Sequence, residues 1–341
     1  MRFALETETR EFAASVDALL DRADMPSVVR SWNDGDTAPG LRVWERLAET
    51  GAFALLLPEE LDGMGATAVE AMAAVEVMGR HAVPGPVVET LMVAPRVLGG
   101  VSDAAEVAAL VAGGTPVTVA CPPASPYAPD AQVAERVYVA ADDAVYSATP
   151  GEVLRSVDRA RTVTEPARGE QVGGACSADV LNHGALGTSA QLLGLAGGML
   201  TLSVDYAKQR SQFGRVIGEF QALKHKMAEV AIAVEMARPL LWAAALAVAG
   251  NPGVDASGEV DPDAGPKAAL DVSAAKVACA DAAALAARHA LQVHGGIGYT
   301  MEHDLGLYLT KARALQTAWG SPAFHRGRVL DALTGGEGTR S

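Results

Sequence analysis

Apolar positions recur every three to four residues over most of the chain, the spacing of helices with one buried face. In "FALETETREFAASVDALLDRA" (3–23), Phe3, Leu5, Phe12, Val16 and Leu19 fall at roughly helical intervals, with acidic residues toward the front where the helix dipole favours them. "GLRVWERLAET" predicts a short helix ending near Thr50, just before Gly51. "ATAVEAMAAVEVMGRHAV" sets Val69, Met72, Val75 and Val77 against Glu70 and Glu76, and further helical stretches cover 85–98 and 102–113. From about residue 115 the period changes. "PVTVAC", "RVYVAA", "AVYSAT" and "ARTVTEP" are short β-branched or Tyr-containing runs cut by Pro, Asp and Gly, which predict strands. "ARGEQVGGACS" (167–177) reads as a linker. Helical spacing returns over 177–209, 218–249, 265–293, 303–317 and 322–334, with the polar loop "NPGVDASGEVDPDAGPK" between the second and third.

The predicted fold is mostly α. An N-terminal helical domain (1–114) precedes a small, reduced β-domain (115–172) and a C-terminal four-helix bundle (173–341). The apolar stripes exceed what a monomer needs to bury, so contact with neighbouring subunits is expected.

Composition narrows the picture. Half of the residues are hydrophobic but only 5% are aromatic, a balance of small side chains that lets helix axes approach closely. A formal charge of −14 without any Lys/Arg-rich block excludes a nucleic-acid binder. A phosphate-bearing ligand would need a locally basic pocket or backbone N–H groups. The apolar segment "PLLWAAALAVAG" (239–250) is about half the ~20 residues of a membrane span, and "MRFALETETREF" lacks a signal-peptide core, so no membrane association is expected. Cys121, Cys176 and Cys279 are odd in number and widely spaced, which reads as core thiols of a reducing cytoplasm. The seven His are scattered without an HExxH, and no Ser sits in a GxSxG elbow, so neither a metal site nor a Ser nucleophile is expected.

Two clusters carry chemistry. In "RSQFGRVIGEFQALKHKMAEVAI", Arg210 lies at a helix end before Phe213 and Gly214, and Gln221 follows near the next helix start. An Arg fork, an aromatic face and an amide suit a pyrophosphate–adenine ligand, although a plain helix–turn–helix connection has the same spacing. In "LQVHGGIGYTMEHDLGLYL", Gly295, Gly296 and Gly298 allow close backbone approach after a helix. Alone they are an ordinary C-cap, since a GxGxxG fingerprint requires a strand before it. His294 beside them is either an acid/base or a satisfied polar residue, and adjacent His303 and Asp304 face different ways on a helix.

With the order of domains, these clusters resemble the acyl-CoA dehydrogenase family over most of the chain. "LAETGAFALLLPEELDGMGATAVEAMAAVEVMGRHAVPGP" resembles its N-terminal helical stretch, "YAKQRSQFGRVIGEFQALKHKMAE" its RxxFGxxIxxFQ signature, and "LQVHGGIGYTMEHDLGLYLTKARALQ" its QxxGGxGYxxE segment. The resemblance implies FAD, oxidation of an acyl-CoA thioester at Cα–Cβ, and electron-transfer flavoprotein as electron acceptor. It also implies that Arg210, Gln212, Phe213, Gln221, Gln292, Val293, Gly295 and Gly296 contact the adenosine diphosphate half of FAD, across an interface with a neighbouring subunit.

The departures are equally specific. The family's Thr-Glu-Pro segment, which cradles the flavin ring, belongs early in the β-domain; here Thr164-Glu165-Pro166 falls at the far end and is a chance match. Aligning Gln316 and Gly320–Ser321 puts Trp319 where the catalytic Glu belongs, and the alternative base position on the first bundle helix falls at about Gly184. Neither can remove a proton. The pattern resembles the short non-catalytic subunit of actinobacterial heteromeric (α2β2) acyl-CoA dehydrogenases of steroid side-chain degradation, whose full-length partner supplies the base. Two other arrangements fit the same family: a self-sufficient enzyme using His294, Glu302 or His303, and a non-catalytic scaffold.

Overall fold

The N-terminal region is built from α1 (Thr7–Asp21), α2 (Met25–Asn33), α3 (Ala38–Glu49), α4 (Ala68–Arg80), α5 (Ala94–Leu98) and α6 (Ala104–Ala112). The computed structural model describes residues 5–98, 101–249 and 264–334; of the loop predicted over 251–267, residues 251–263 lie outside the described residues and the remainder belongs to the start of a helix, Ala264–His294. α2 is an element that periodicity did not predict. It is only nine residues long, carries Pro26 in its first turn where a missing N–H costs nothing, and buries Val28, Val29 and Trp32. α4 starts at a capping box, in which Glu70 Oε2 accepts from Thr67 N at 2.9 Å and Thr67 Oγ1 accepts from Val69 N at 3.2 Å. The helical spacing over 85–98 resolves into a π-helical turn, Glu89–Val93, that runs into α5. Such turns are rare and often mark functional positions.

The strands are β1 (Val117–Ala120), β2 (Ala128–Pro129), β3 (Arg136–Ala141), β4 (Ala144–Thr149), β5 (Val153–Leu154), β6 (Val163–Thr164) and β7 (Ala167–Gly174). One sheet has the order β1-β3-β4-β7, with β1 and β3 parallel; a smaller one has the order β2-β6-β5. The β3–β4 hairpin closes through Asp142 and Asp143, both at positive φ (54° and 57°), as a tight two-residue turn requires. The expected linker over 167–177 is corrected here: Ala167–Gly174 is a strand, paired antiparallel with β4. Its residues are mostly exposed, so the segment has no apolar alternation of its own and is a strand because β4 offers it an edge.

The C-terminal helices are α7 (Ser177–Gln209), α8 (Gln221–Ala249), α9 (Ala264–His294), α10 (Leu305–Leu315) and α11 (Pro322–Leu333). α7 is the central rod, packed between α9 and the N-terminal α4. At Gly194 a Cβ would stand 1.9 Å from Glu76 O and 2.7 Å from Arg80 N, so α4 and α7 touch backbone to backbone. The Glu76 carboxylate pairs with Arg238 of α8, which ties a third helix to that contact. α7 and α8 are each long and apolar enough to cross a membrane by length and composition, more than the sequence reading allowed for "PLLWAAALAVAG", because that segment is one end of a 29-residue helix. α7 is mostly buried within the bundle, whereas α8 leaves Ile232, Met236 and Leu240 exposed as a stripe at i, i+4, i+8. Cys121 and Cys279 are buried, but Cys176 is exposed, correcting its reading as a core thiol; it precedes α7 at the surface end of that rod.

Candidate functional site

Two chain segments meet at one end of the bundle. The first is the α7–α8 connection, a miniature hairpin of β8 (Ser211–Gln212) and β9 (Arg215–Val216) turned by Phe213 and Gly214. Both turn residues have positive φ, 54° and 82°, the backbone twist a two-residue hairpin demands; for Phe213 this is a strained choice. Phe213 is 92% exposed, touched within the described residues by the Phe220 ring edge at 6.2 Å between centroids. Arg215 stacks over Phe220 at 4.1 Å. The second segment is the end of α9 and the short helical turn Gly295–Tyr299, entered through Gly295 at φ 63°.

Between them lies a cavity of about 690 Å³, lined by Arg210, Gln212, Phe213, Val293, Gly295 and Gly296 among others. Its volume falls in the range of cofactor sites. The structure thus brings six of the eight sequence-predicted contact residues onto one cavity. Gln221 and Gln292 are exposed and stand beside lining residues without lining it themselves. The sequence reading did not single out Tyr206, Ile217 or Leu223, which complete the apolar wall; ordinary helix residues give no local signal of facing a cavity.

The chemistry of this wall suits a flat, anionic ligand. Among the described residues Arg210 has no carboxylate partner, so its fork is free to meet an anion. An aromatic ring held out in a strained turn offers a stacking face. His294 is buried, stacked on Tyr206 at 4.5 Å and edge-on to His303 at 4.7 Å. Its Nδ1 donates to Ala290 O at 2.8 Å, and its Nε2 has no partner among the described residues. Burial holds its pKa below the usual histidine range, so the ring stays neutral. His303 Nδ1 accepts from Leu305 N at 3.1 Å, Glu302 is exposed, and Asp304 is bound by Arg30 at 2.6 Å. His303 and Asp304 therefore fasten the loop to α10 and α2.

The turn between α10 and α11 is a second, closed site. Trp319 is 1% exposed and sits at φ 54°. Its ring lies against α7 at Gly184, where a Cβ would come within 2.1 Å of Trp319 Cδ2. The indole therefore fills the place a side chain at Gly184 would take. Trp319 Nε1 donates to Glu89 Oε1 at 2.9 Å, linking residues 230 positions apart. From below, His325 Nε2 donates to Trp319 O at 2.8 Å while its Nδ1 accepts from Ser273 Oγ at 3.1 Å. Buried Lys276 donates to Leu315 O and Gln316 O at 3.3 and 3.0 Å, closing the end of α10. Gly320 (φ 97°) turns the chain, and Ser321 Oγ caps α11 by accepting from Phe324 N. Glu89 had no signal in the sequence: it is one acid within an apolar helical run.

The N-terminal domain description of acyl-CoA dehydrogenases matches residues 6–104 and the C-terminal domain description matches residues 173–334, on either side of the strands. The chain belongs to the acyl-CoA dehydrogenase family. It is 29% identical over 330 residues to acyl-CoA dehydrogenase IpdE2 of Mycobacterium tuberculosis (strain ATCC 25618 / H37Rv), covering 92% of this chain and 94% of that one. The fold superposes with a TM-score of 0.80 on a chain of the ChsE4–ChsE5 complex from Mycobacterium tuberculosis, at 21% identity and complete coverage of both chains. A Tcur3481–Tcur3483 steroid ACAD variant gives 0.80 at 21% identity, with 96% of this chain and 98% of that chain covered. Acyl-CoA dehydrogenases are FAD-dependent oxidoreductases that act on acyl-CoA, and FAD is the cofactor of the family. The free Arg210 fork, the projecting Phe213 ring and the open backbone at Gly295 and Gly296 fit the adenosine diphosphate half of such a group.

Proposed function

We propose that this chain is the short subunit of a heteromeric, FAD-dependent acyl-CoA dehydrogenase, and that a full-length partner subunit supplies the catalytic Glu. The observation that carries the reading is the packing of Trp319 on Gly184. The two positions where the family's base would stand contact each other, one as a bare backbone and one as the indole that fills its space. No room for an acyl chain remains between them. The bound flavin supplies the hydride-accepting chemistry of α,β-desaturation. The chain's own residues bind and orient: Arg210 pairs with the pyrophosphate, Phe213 offers its face to the adenine, and Gly295 and Gly296 let the backbone approach, with Gln212, Gln221, Gln292 and Val293 beside them.

The open stripe of Ile232, Met236 and Leu240 supports association with another subunit. The likeness to the Tcur3481–Tcur3483 steroid ACAD supports a bulky, steroid-derived acyl group as substrate, and a similar chain in a structure of the electron transferring flavoprotein of Acidaminococcus fermentans supports electron-transfer flavoprotein as the acceptor. The buried thiols Cys121 and Cys279 support work in a reducing cytoplasm.

Expression tests the reading. The chain alone is expected colourless and inactive, while co-expression with a full-length relative that carries the missing Glu gives a yellow heteromer with turnover. A homogeneous preparation of the chain alone, holding stoichiometric FAD and desaturating an acyl-CoA, overturns it.

A further inference from the structure

Behind Trp319 lies a cluster of charges that the proposed cofactor site does not use. Glu89 opens the π-helical turn and is 4% exposed. Arg161, Asp130 and Asp158 come from the strand region, and Lys311 comes from α10; the two aspartates and the lysine are buried as well. Glu89, Arg161 and Lys311, with Thr188 and Gln191 of α7, surround a void of about 10 Å³, room for one water at most. Among the described residues neither cation comes within 4.0 Å of a carboxylate. Asp130 Oδ1 accepts from Thr162 N at 3.0 Å and Asp158 Oδ1 from Ala160 N at 3.1 Å, but the second oxygen of each has no partner.

Counting charges identifies the balanced state. Two cations face two aspartates, so the cluster is neutral when Glu89 is a carboxylic acid and carries one buried negative charge in excess when it is not. Isolated buried charge is strongly disfavoured, so the group either holds a proton or draws in water. We propose that Glu89 is a proton-dependent latch on the closed turn that carries Trp319: as an acid it accepts the indole N–H inside a neutral, dry cluster joining all three regions, and the tendency to lose its proton drives that turn open.

Desolvation favours one protonated carboxyl in this cluster, on Glu89 or on Asp130, and of the two only Glu89 meets the indole. Burial raises Glu89 above the usual carboxylate range against the opposing pull of Arg161, Trp319 and Lys311, raises Asp130 to about 7, and lowers Lys311. An acid whose pKa is higher closed than open favours the closed form at low pH. That preference decays as pH rises past the ordinary carboxyl value, up to tenfold per unit, until the closed-state pKa is reached. Lys276 and His325 hold the same turn from its other side and titrate as well, to about 7 and about 4. Neither touches Glu89, and both lose their burial penalty as pH rises, an effect of opposite sign.

The test is hydrogen–deuterium exchange of residues 315–321 in the full chain, purified with any subunit that accompanies it, from pH 5 to 9 and corrected for intrinsic exchange. In the wild type, protection is expected to fall by at least tenfold across that range, and in Glu89→Gln, which keeps the acceptor but cannot ionise, not to fall but to hold or rise with pH, as Lys276 and His325 alone dictate. Equal pH dependence in both proteins overturns the proposal. If Glu89→Gln does not fold, infrared spectra of the wild type and of Trp319→Phe at pH 7 decide: a protonated-carboxyl stretch that moves to higher frequency once the indole N–H is gone supports the latch, and the absence of such a band or a band that does not move overturns it. None of these readouts needs FAD, so failure of the latch is distinguishable from failure of the subunit assignment.

Discussion

Gly184→Ala is the sharpest perturbation available, because two effects of opposite sign meet at one methyl group. On an unobstructed helix, Gly→Ala stabilises by about 1 kcal/mol through lost backbone entropy in the unfolded chain. At residue 184 the new Cβ would lie 2.1 Å from Trp319 Cδ2 and 2.2 Å from Cε3, far inside van der Waals contact. The indole cannot simply tilt away, since its N–H is held by Glu89 and the turn behind it by His325 and Lys276. Overpacking of a rigid core costs about 1–3 kcal/mol, and stranding the Glu89 carboxyl adds about 1–3 kcal/mol. Gly184→Ala alone is thus expected to destabilise by roughly 1–5 kcal/mol after the helix gain is subtracted. In a Trp319→Leu background the same change meets open space and is expected to stabilise by up to about 1 kcal/mol. The coupling is therefore about 2–6 kcal/mol, well above the few tenths by which independent sites deviate from additivity. Urea unfolding of the four proteins, followed by circular dichroism and by the remaining tryptophans, measures it. Equal effects of Gly184→Ala in both backgrounds would refute the packing of these two residues as the closure of the cleft.

Other consequences follow from the same contacts. Gly194→Ala is expected to cost more than about 3 kcal/mol and to resist rescue, because its Cβ would strike Glu76 O, a backbone atom of α4; chemical denaturation checks this. His325 is fully buried, and desolvation lowers its pKa from 6.5 to about 4, so the unfolded chain takes up a proton first as the pH falls. Its contribution, about 3 kcal/mol, is intact above pH 6.5 and lost toward pH 4, visible as a falling midpoint in urea titrations at successive pH values. Lys276, lowered to about 7 chiefly by burial, acts at the alkaline side: stability is expected to rise from pH 7 toward 10.5, and Lys276→Met to abolish that rise. In the co-expressed heteromer, Arg210→Ala is expected to weaken flavin retention by about tenfold without unfolding the chain, measured as flavin-to-protein ratio after gel filtration.

The sequence by itself determined the local features. Glycine-terminated helices and the 3.6-residue period are properties of a few neighbouring residues, so the break between helices at Phe213–Gly214, the loop at Gly295–Gly296 and the long helices α7, α8 and α9 were all legible, while the small hairpin formed at that break was not. Six of eight predicted contact residues line one cavity because they sit at ends of helices that the chain must turn between. β7 and α2 were not legible, since each takes its form from the partner it packs against: β4 for the exposed strand and α3 for the nine-residue helix. The closed turn was half legible. The absence of an ionisable side chain in the stretch around Trp319 could be read directly, but that its indole would fill the space over Gly184 and donate to Glu89, and that Lys276 and His325 would hold the turn's backbone, could not. Burial pattern shows that a residue is inside, and only the tertiary structure decides which distant group faces it there; desolvation and charge balance, which control the protons of Glu89, Asp130 and Lys311, depend entirely on that choice.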